Sequence, residues 1–239
     1  MNRALRLRPE RPVSDVPLPI LAALLIGLAA QIAWHALRPP PLAGAEELPE
    51  PPAFAALYGV SLGEPASMAR LLMLWLQAFD NQPGISIPFQ RLDYERVRSW
   101  LGLILRLDPR SEYPLLSAAR IYGEVADASR KRIMLDFVRV EFLKDPDARW
   151  PWMAHAVYVA KHQLRDPELA LELARGLRLH ATAANVPSWA RQMELFVLED
   201  LGDVEGAKVL LGGLIESGVV SDPHEIRFLM ERLEIKGPE

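Results

Sequence analysis

No cysteine occurs in this 239-residue chain. Disulfides, thiolate metal sites and cysteine nucleophiles are thereby excluded, while the compartment is left open. There is no basic run or stripe either. Residues 1–45 hold five arginines and two acids, which leaves 22 of the 27 basic and 29 of the 31 acidic residues for the rest. So acidic a body is a poor match for nucleic acid. A phosphate loop, a dinucleotide fingerprint and a paired-histidine zinc motif are all missing. Five histidines are scattered through the chain (His35, His155, His162, His180 and His224). His155 and His162 lie two helical turns apart with Asp166 near them, but no third ligand stands at suitable spacing. They read as surface histidines, and neither a metal nor another cofactor is expected. Glu46/Glu47 and Glu199/Asp200 read as solvated charge rather than as a general acid and base. The chain is not expected to be an enzyme.

One stretch lacks charge altogether. Pro17 to Leu37 reads PLPILAALLIGLAAQIAWHAL, and about 21 residues at roughly 1.5 Å each match the hydrocarbon thickness of a bilayer. A transmembrane helix over 17–38 is expected. Arg3, Arg6, Arg8 and Arg11 precede it and only Arg38 follows closely, so residues 1–16 are expected on the cytoplasmic side. Trp34 sits where an interfacial aromatic belongs. Gln31 and His35 lie toward that same end, either wetted at the interface or touching a partner helix. The rival reading is a signal peptide cleaved after Ala45, at Ala43-Gly44-Ala45. Either way the body lies outside the cytoplasm.

Residues 39–52, PPPLAGAEELPEPP, hold six prolines and three acids. Such a segment suits neither helix nor strand. A semi-rigid extended stalk of up to roughly 40 Å is expected, at about 3.1 Å per residue. The body then spans 53–239.

Within the body the same punctuation appears twice. Asp108 to Pro114 reads DPRSEYP and Asp145 to Pro151 reads DPDARWP. Each follows apolar residues at helical spacing, so Asp-Pro is read as a helix stop. Pro114 and Pro151 are expected in the first turn of the next helix, where a missing N–H is harmless. Val97, Met134, Ala170 and Ala207 occupy equivalent positions on apolar helix faces, 37, 36 and 37 residues apart. Partner helices are expected over about 112–124, 149–163 and 187–200. Glu64 to Phe79 reads as an opening helix. Asn81 to Gln90 is a long loop whose Ile85, Ile87 and Phe89 either dock a partner or fold back over the first repeat. Asp222-Pro223-His224-Glu225 reads as N-cap, first-turn proline and capping-box acid, opening a solvating cap helix that runs to about Lys236. A period of 30–45 residues with two helices each describes an all-α solenoid of about four pairs plus a capping helix.

This pattern resembles the tetratricopeptide repeat (TPR) family. GDVEGA (Gly202–Ala207) and DPELA (Asp166–Ala170) resemble that family's turn into its second helix, and LDP (Leu107–Pro109) its repeat end. Tyr113 and Trp150 resemble its early aromatic, with Ser117 and Ala154 the small residues four later. The period is about three residues longer than usual. NVPSW (Asn185–Trp189) inverts the proline and the aromatic, and Arg120 and Val157 stand where the family often has Tyr. The resemblance covers roughly 64–218.

The resemblance implies a concave face that binds proteins or peptides, lined by the first helix of each pair. By register that face holds Tyr122, His155, Tyr158, Lys161 and Glu194, with Ala118 and His162 beside them. It further implies a membrane-anchored adaptor that holds a protein or peptide partner at the outer face of a bacterial-type inner membrane. Two alternatives remain. One is a structural subunit of a membrane complex. The other is a protein binding envelope polysaccharide or peptidoglycan, for which Trp150 and Trp152 in RWPWMAH would serve as a platform.

Overall fold

The computed structural model describes residues 16–37, 45–82 and 84–234. The chain divides into two units, Met1–Gly44 and Ala45–Glu239.

In the first unit, α1 (Leu18–Leu37) is a 20-residue helix, long and apolar enough to cross a membrane. None of its residues is buried by protein. Residues 1–15, Arg38 and the small-residue site at Ala43-Gly44 lie outside the described residues.

Among its described residues the second unit is all-α apart from one short hairpin, Asn81–Gln82 against Ile85–Ser86. Its helices are α2 (Phe54–Val60), α3 (Pro65–Ala78), α4 (Tyr94–Leu107), α5 (Tyr113–Arg120), α6 (Ala128–Phe142) and α7 (Pro146–Tyr158). There follow α8 (Pro167–His180), α9 (Ser188–Arg191), α10 (Met193–Asp200), α11 (Val204–Glu216) and α12 (Pro223–Arg232). Contacts run between near neighbours in sequence: α3 with α4, α4 with α5 and α6, α6 with α7, α7 with α8, α8 with α10, and α10 with α11. Val97, Met134, Ala170 and Ala207 are all fully buried, as their spacing required. Ser117 and Ala154 are buried where small residues were expected.

Helix starts repeat too. Asp93, Asp127, Asp166 and Asp203 each cap the helix that follows by accepting backbone N–H bonds. Gly202, at φ +79, makes the left-handed turn into the last of these. The core has two parts. The larger runs from Leu48 to Val197 and the smaller gathers Leu195, Leu198, Leu211, Leu214 and Leu229. Helix α10 serves both.

Several expectations change. Residues 45–52 are not a free stalk. Leu48 is buried, Arg96 Nη1 donates to its carbonyl at 2.6 Å, and Trp100 Nε1 donates to Pro49 O at 2.8 Å. Gln82 brackets Glu46, accepting from its N–H at 2.8 Å and donating to its carbonyl at 2.9 Å. A proline-rich segment leaves its carbonyls unpaired, and these side chains satisfy them.

The two proline motifs also differ. In the first, Asp108 ends α4 and α5 begins at Tyr113, with Pro114 in its first turn. In the second, Pro146 itself opens α7, so the helix starts before 149 and Pro151 is its sixth residue. Pro151 has no N–H for the carbonyl of Asp147. Asn185 Nδ2 donates to that carbonyl instead, at 3.1 Å. Asp147 Oδ1 meanwhile accepts from Thr182 N and Ala183 N. The interior proline therefore frees an acceptor that ties in the loop after α8.

The expected 112–124, 149–163 and 187–200 helices are each irregular. The first becomes α5 and a short 3₁₀ turn (Tyr122–Glu124), and the second ends in a π-turn (Val159–Gln163). The third splits at Gln192. Loop 81–90 folds back: Ile85, Ile87 and Phe89 are half-buried, and Phe89 packs edge-on to Tyr122. Glu225 forms no capping box. Its Oε1 accepts from Ser188 Oγ and Gln192 Nε2, both at 2.9 Å, and so joins α12 to α9. Helix α12 ends at Arg232, and Lys236 lies outside the described residues.

The Asp166 cap gives the first prediction. Asp166 accepts from Leu169 N at 3.0 Å and pairs with Arg132 at 2.6 Å. The Leu169 N–H, then Arg132, hold its carboxyl below the usual carboxylate range. Its contribution is therefore complete above the ordinary aspartate value and is lost as pH falls through the lowered one. Asp166→Ala should cost about 1 kcal/mol in urea unfolding at neutral pH, and Asp166→Asn, which keeps the cap, distinctly less.

Candidate functional site

The widened π-turn after α7 closes through Leu164 N donating to Val159 O at 3.0 Å, and Arg165 then adopts φ +53. Turns of this kind often mark functional sites. Here Gln163 Nε2 donates to Glu124 at 3.0 Å and Lys131 donates to Gln163, while Lys161 pairs with Asp200 on α10. The turn is thus held from both sides.

Between this turn and α10 lies a cleft of ≈ 280 Å³. Val157 and Val197, both buried, form its floor with Met193 and Phe196. Tyr158, 50% exposed, is its wall. His155 stacks on Tyr158 at 6.0 Å and His162 lies 4.8 Å from the same ring. Lys161, His162 and Arg232 supply the lining's polar groups. Arg232 pairs with Glu199 at 2.6 Å and lies 5.1 Å over Phe196. An apolar floor, a half-exposed tyrosine and a few convergent polar groups suit the burial of a side chain. A larger hollow of ≈ 390 Å³ lies between residues 45–48 and the hairpin, with Glu46, Glu47, Asp93, Arg91 and Arg130 around it. None of the residues predicted from register lines it.

Of those residues, Tyr158 and Lys161 line the cleft with His162, and His155 stacks on Tyr158 without lining it. Tyr122 and Glu194 do not share the exposed surface; each is only 3% exposed. Tyr122 sits among Phe89 and Tyr94, edge-on to both, and burial first, then Tyr94, drives its hydroxyl pKa upward. Tyr94 is raised to about 12, chiefly by burial, and among the described residues its hydroxyl has no hydrogen-bond partner. Register alone placed Tyr122 on the groove, but the end of α5 at Arg120 turns it inward. Glu194 is enclosed by Arg175 at 2.9 Å and Arg178 at 2.6 Å. Ala118 is buried as well. Trp150 and Trp152 are half-buried against the core, and Trp150 meets Trp189 edge-on at 5.4 Å. Trp150 thereby packs α7 against α9.

Met193, Phe196 and Arg232 were not anticipated. The first two stand at i and i+3 on one helix and were visible as a face. Arg232 comes from the cap helix, and no spacing rule relates it to Tyr158. Among the described residues, no three of His, Asp and Glu are grouped to hold a metal ion. No protein-family model matches the chain, and neither the curated proteins nor the solved structures give a match.

Two predictions follow from these burials. Removing Glu194 leaves two arginines unpaired, but Arg175 is largely exposed and Arg178 partly so, so both can reach water. Glu194→Ala should therefore cost roughly 1–2 kcal/mol in urea unfolding, below the 3–5 typical of a fully buried pair. His155 has a lowered pKa, from burial first and then Arg120, opposed by Glu124 and the Ala119 backbone. Its 3.9 Å approach to Glu124 is accordingly a contact of a neutral ring at neutral pH. The unfolded chain binds the proton more readily, so stability falls as pH drops from the ordinary histidine value of 6.5 toward the lowered one. His155→Phe should flatten this part of the pH–stability curve measured by thermal unfolding.

Proposed function

We propose that this protein is a membrane-tethered adaptor whose body is a TPR-like α-solenoid, with the cleft at Tyr158 taking up a protein or peptide partner. The half-exposed Tyr158 over the Val157–Val197 floor carries this reading. A rigid aromatic with a polar end, beside a desolvated apolar floor, is the usual anchor of an interface. The repeated aspartate caps and the buried positions every 36–37 residues support the solenoid, an architecture that exposes long binding faces. The length and apolarity of α1 support the tether. The arginines before it favour a cytoplasmic N-terminal segment, with the body at the outer face of an inner membrane.

The test is in-cell crosslinking from a photoreactive residue at position 158, followed by mass spectrometry. Discrete adducts with one or two envelope proteins are expected, and they should disappear when the group is moved to Val209, an exposed position on α11. Tyr158→Ala should weaken capture of the identified partner by about 2 kcal/mol, roughly thirty-fold in Kd. Equal labelling from both positions would sink the cleft. Glycan adducts would instead support envelope-polymer binding, and self-adducts alone a structural subunit.

A further inference from the structure

The body's first two helices expose an apolar edge that the cleft does not use. Among the described residues of the body, fifteen large apolar side chains are exposed, and six of them fall between Tyr58 and Trp75: Tyr58, Val60, Leu62, Leu71, Leu74 and Trp75. The other nine are spread from Tyr113 to Phe228. Charge is depleted in the same place. From Phe54 to Ala78 the chain carries only Glu64 and Arg70, in a body that is otherwise charge-rich and acidic.

Local structure sharpens the anomaly. Helix α2, FAALYGV, is apolar around its whole circumference, yet none of its residues is fully buried. An all-apolar helix ordinarily lies inside a protein or a membrane. In α3, Ala69, Met73 and Leu76 face the core, and Leu71 and Leu74 occupy the opposite side, while Trp75 stands between the two, packed against Trp100 and Phe79. Between the helices, Leu62 is 92% exposed at φ +52, with Gly63 following at φ +88. A leucine in left-handed backbone geometry is unfavourable by roughly 1–2 kcal/mol, and nothing among the described residues covers its side chain. A polar residue or glycine would suit this turn in water.

The covalent tether suggests what covers the edge. Residues 38–44 join the end of α1 to Ala45, and eight extended steps reach at most about 28 Å whatever the arrangement of the two units. Residues 45–52 are fastened to α4 and lead directly into α2. The end of α1 is therefore tethered within about 28 Å of Ala45, from which the chain leads into α2.

We infer that α2, the Leu62 turn and the outer side of α3 form a lipid-contacting edge, seated at the headgroup–acyl boundary of the membrane that holds α1. Leu62, Val60, Leu71 and Leu74 supply apolar area. Tyr58 is of the amphipathic aromatic type that settles at that depth. With one acid and one base, the segment carries no net repulsion toward an anionic surface. This inference rests on α1 being a membrane helix and is independent of the cleft.

The test exploits the missing cysteines: Leu62→Cys and Leu71→Cys each take a nitroxide at one site only. The full chain is reconstituted in vesicles of phosphatidylcholine and phosphatidylglycerol. Relaxation of each label by oxygen and by a water-soluble nickel chelate is then measured, with Ile26→Cys in α1 and Val209→Cys in α11 as references. Oxygen is expected to dominate at 62 and 71, as at 26, and nickel at 209. Nickel dominance at 62 and 71 would place the edge in water and overturn the inference. Exclusion of both reagents would mean a protein cover, a second copy included, and would overturn it equally. Nickel dominance at 26 would remove the membrane helix itself, and the inference with it, while leaving the cleft untouched.

Discussion

A helix with a single apolar face has no stable life in water without a neighbour, and the body of this protein is organised around that constraint. Val97, Met134, Ala170 and Ala207 are each sealed from solvent by adjacent helices, and contacts link elements that are close in sequence. Small side chains at Ser117 and Ala154 permit close approach. Arg149 adds a polar fixture: nearly buried, it donates to Glu141 O at 2.7 Å and Glu141 Oε2 at 3.1 Å, and to Pro109 O at 3.1 Å. It thus ties the end of α6 and the start of α7 to the turn after α4. A buried ion pair gives little net stability, but it penalises alternative registers that would strand the charge.

The other recurring element is irregularity in the first helix of each expected pair. Helix α5 stops at Arg120, α7 widens into a π-turn, and α9 and α10 are separated at Gln192. Each break redirects the residues after it. One turns Tyr122 into an aromatic cluster, and another places Lys161 beside Asp200. The proposed partner cleft lies between the second and third of these irregular helices, with the cap helix closing one side through Arg232. The proposed lipid edge lies on α2 and α3, before the first of them.

Sequence spacing is a good guide wherever a rule is local. The apolar faces of α4, α6, α8 and α11, the Asp222 cap of α12 and the membrane-compatible α1 follow from i to i+4 geometry, and all were legible. Part of the proposed cleft was legible too, because Tyr158 and Lys161, with His162 beside them, follow from the register the resemblance implies, while His155 stacks on Tyr158 outside the lining. Tyr122 and Glu194 were misplaced on the groove for a single reason. Register tells which side of an ideal helix a residue occupies, and both belong to helices that break. Glu194 also needed Arg175 and Arg178, which approach from another helix.

The sequence alone thus determined helical character, the period of the buried positions and the apolar span near residue 17, all consequences of covalent geometry and the burial of apolar surface. Only the tertiary structure decided that residues 45–52 bind the body through Arg96, Trp100 and Gln82. The same holds for Pro151 inside a helix, whose orphaned Asp147 carbonyl is met by Asn185, and for Arg232 completing the cleft. In each case the partner lies more than thirty residues away. Such pairings depend on which surfaces meet after packing, and no local periodicity encodes that.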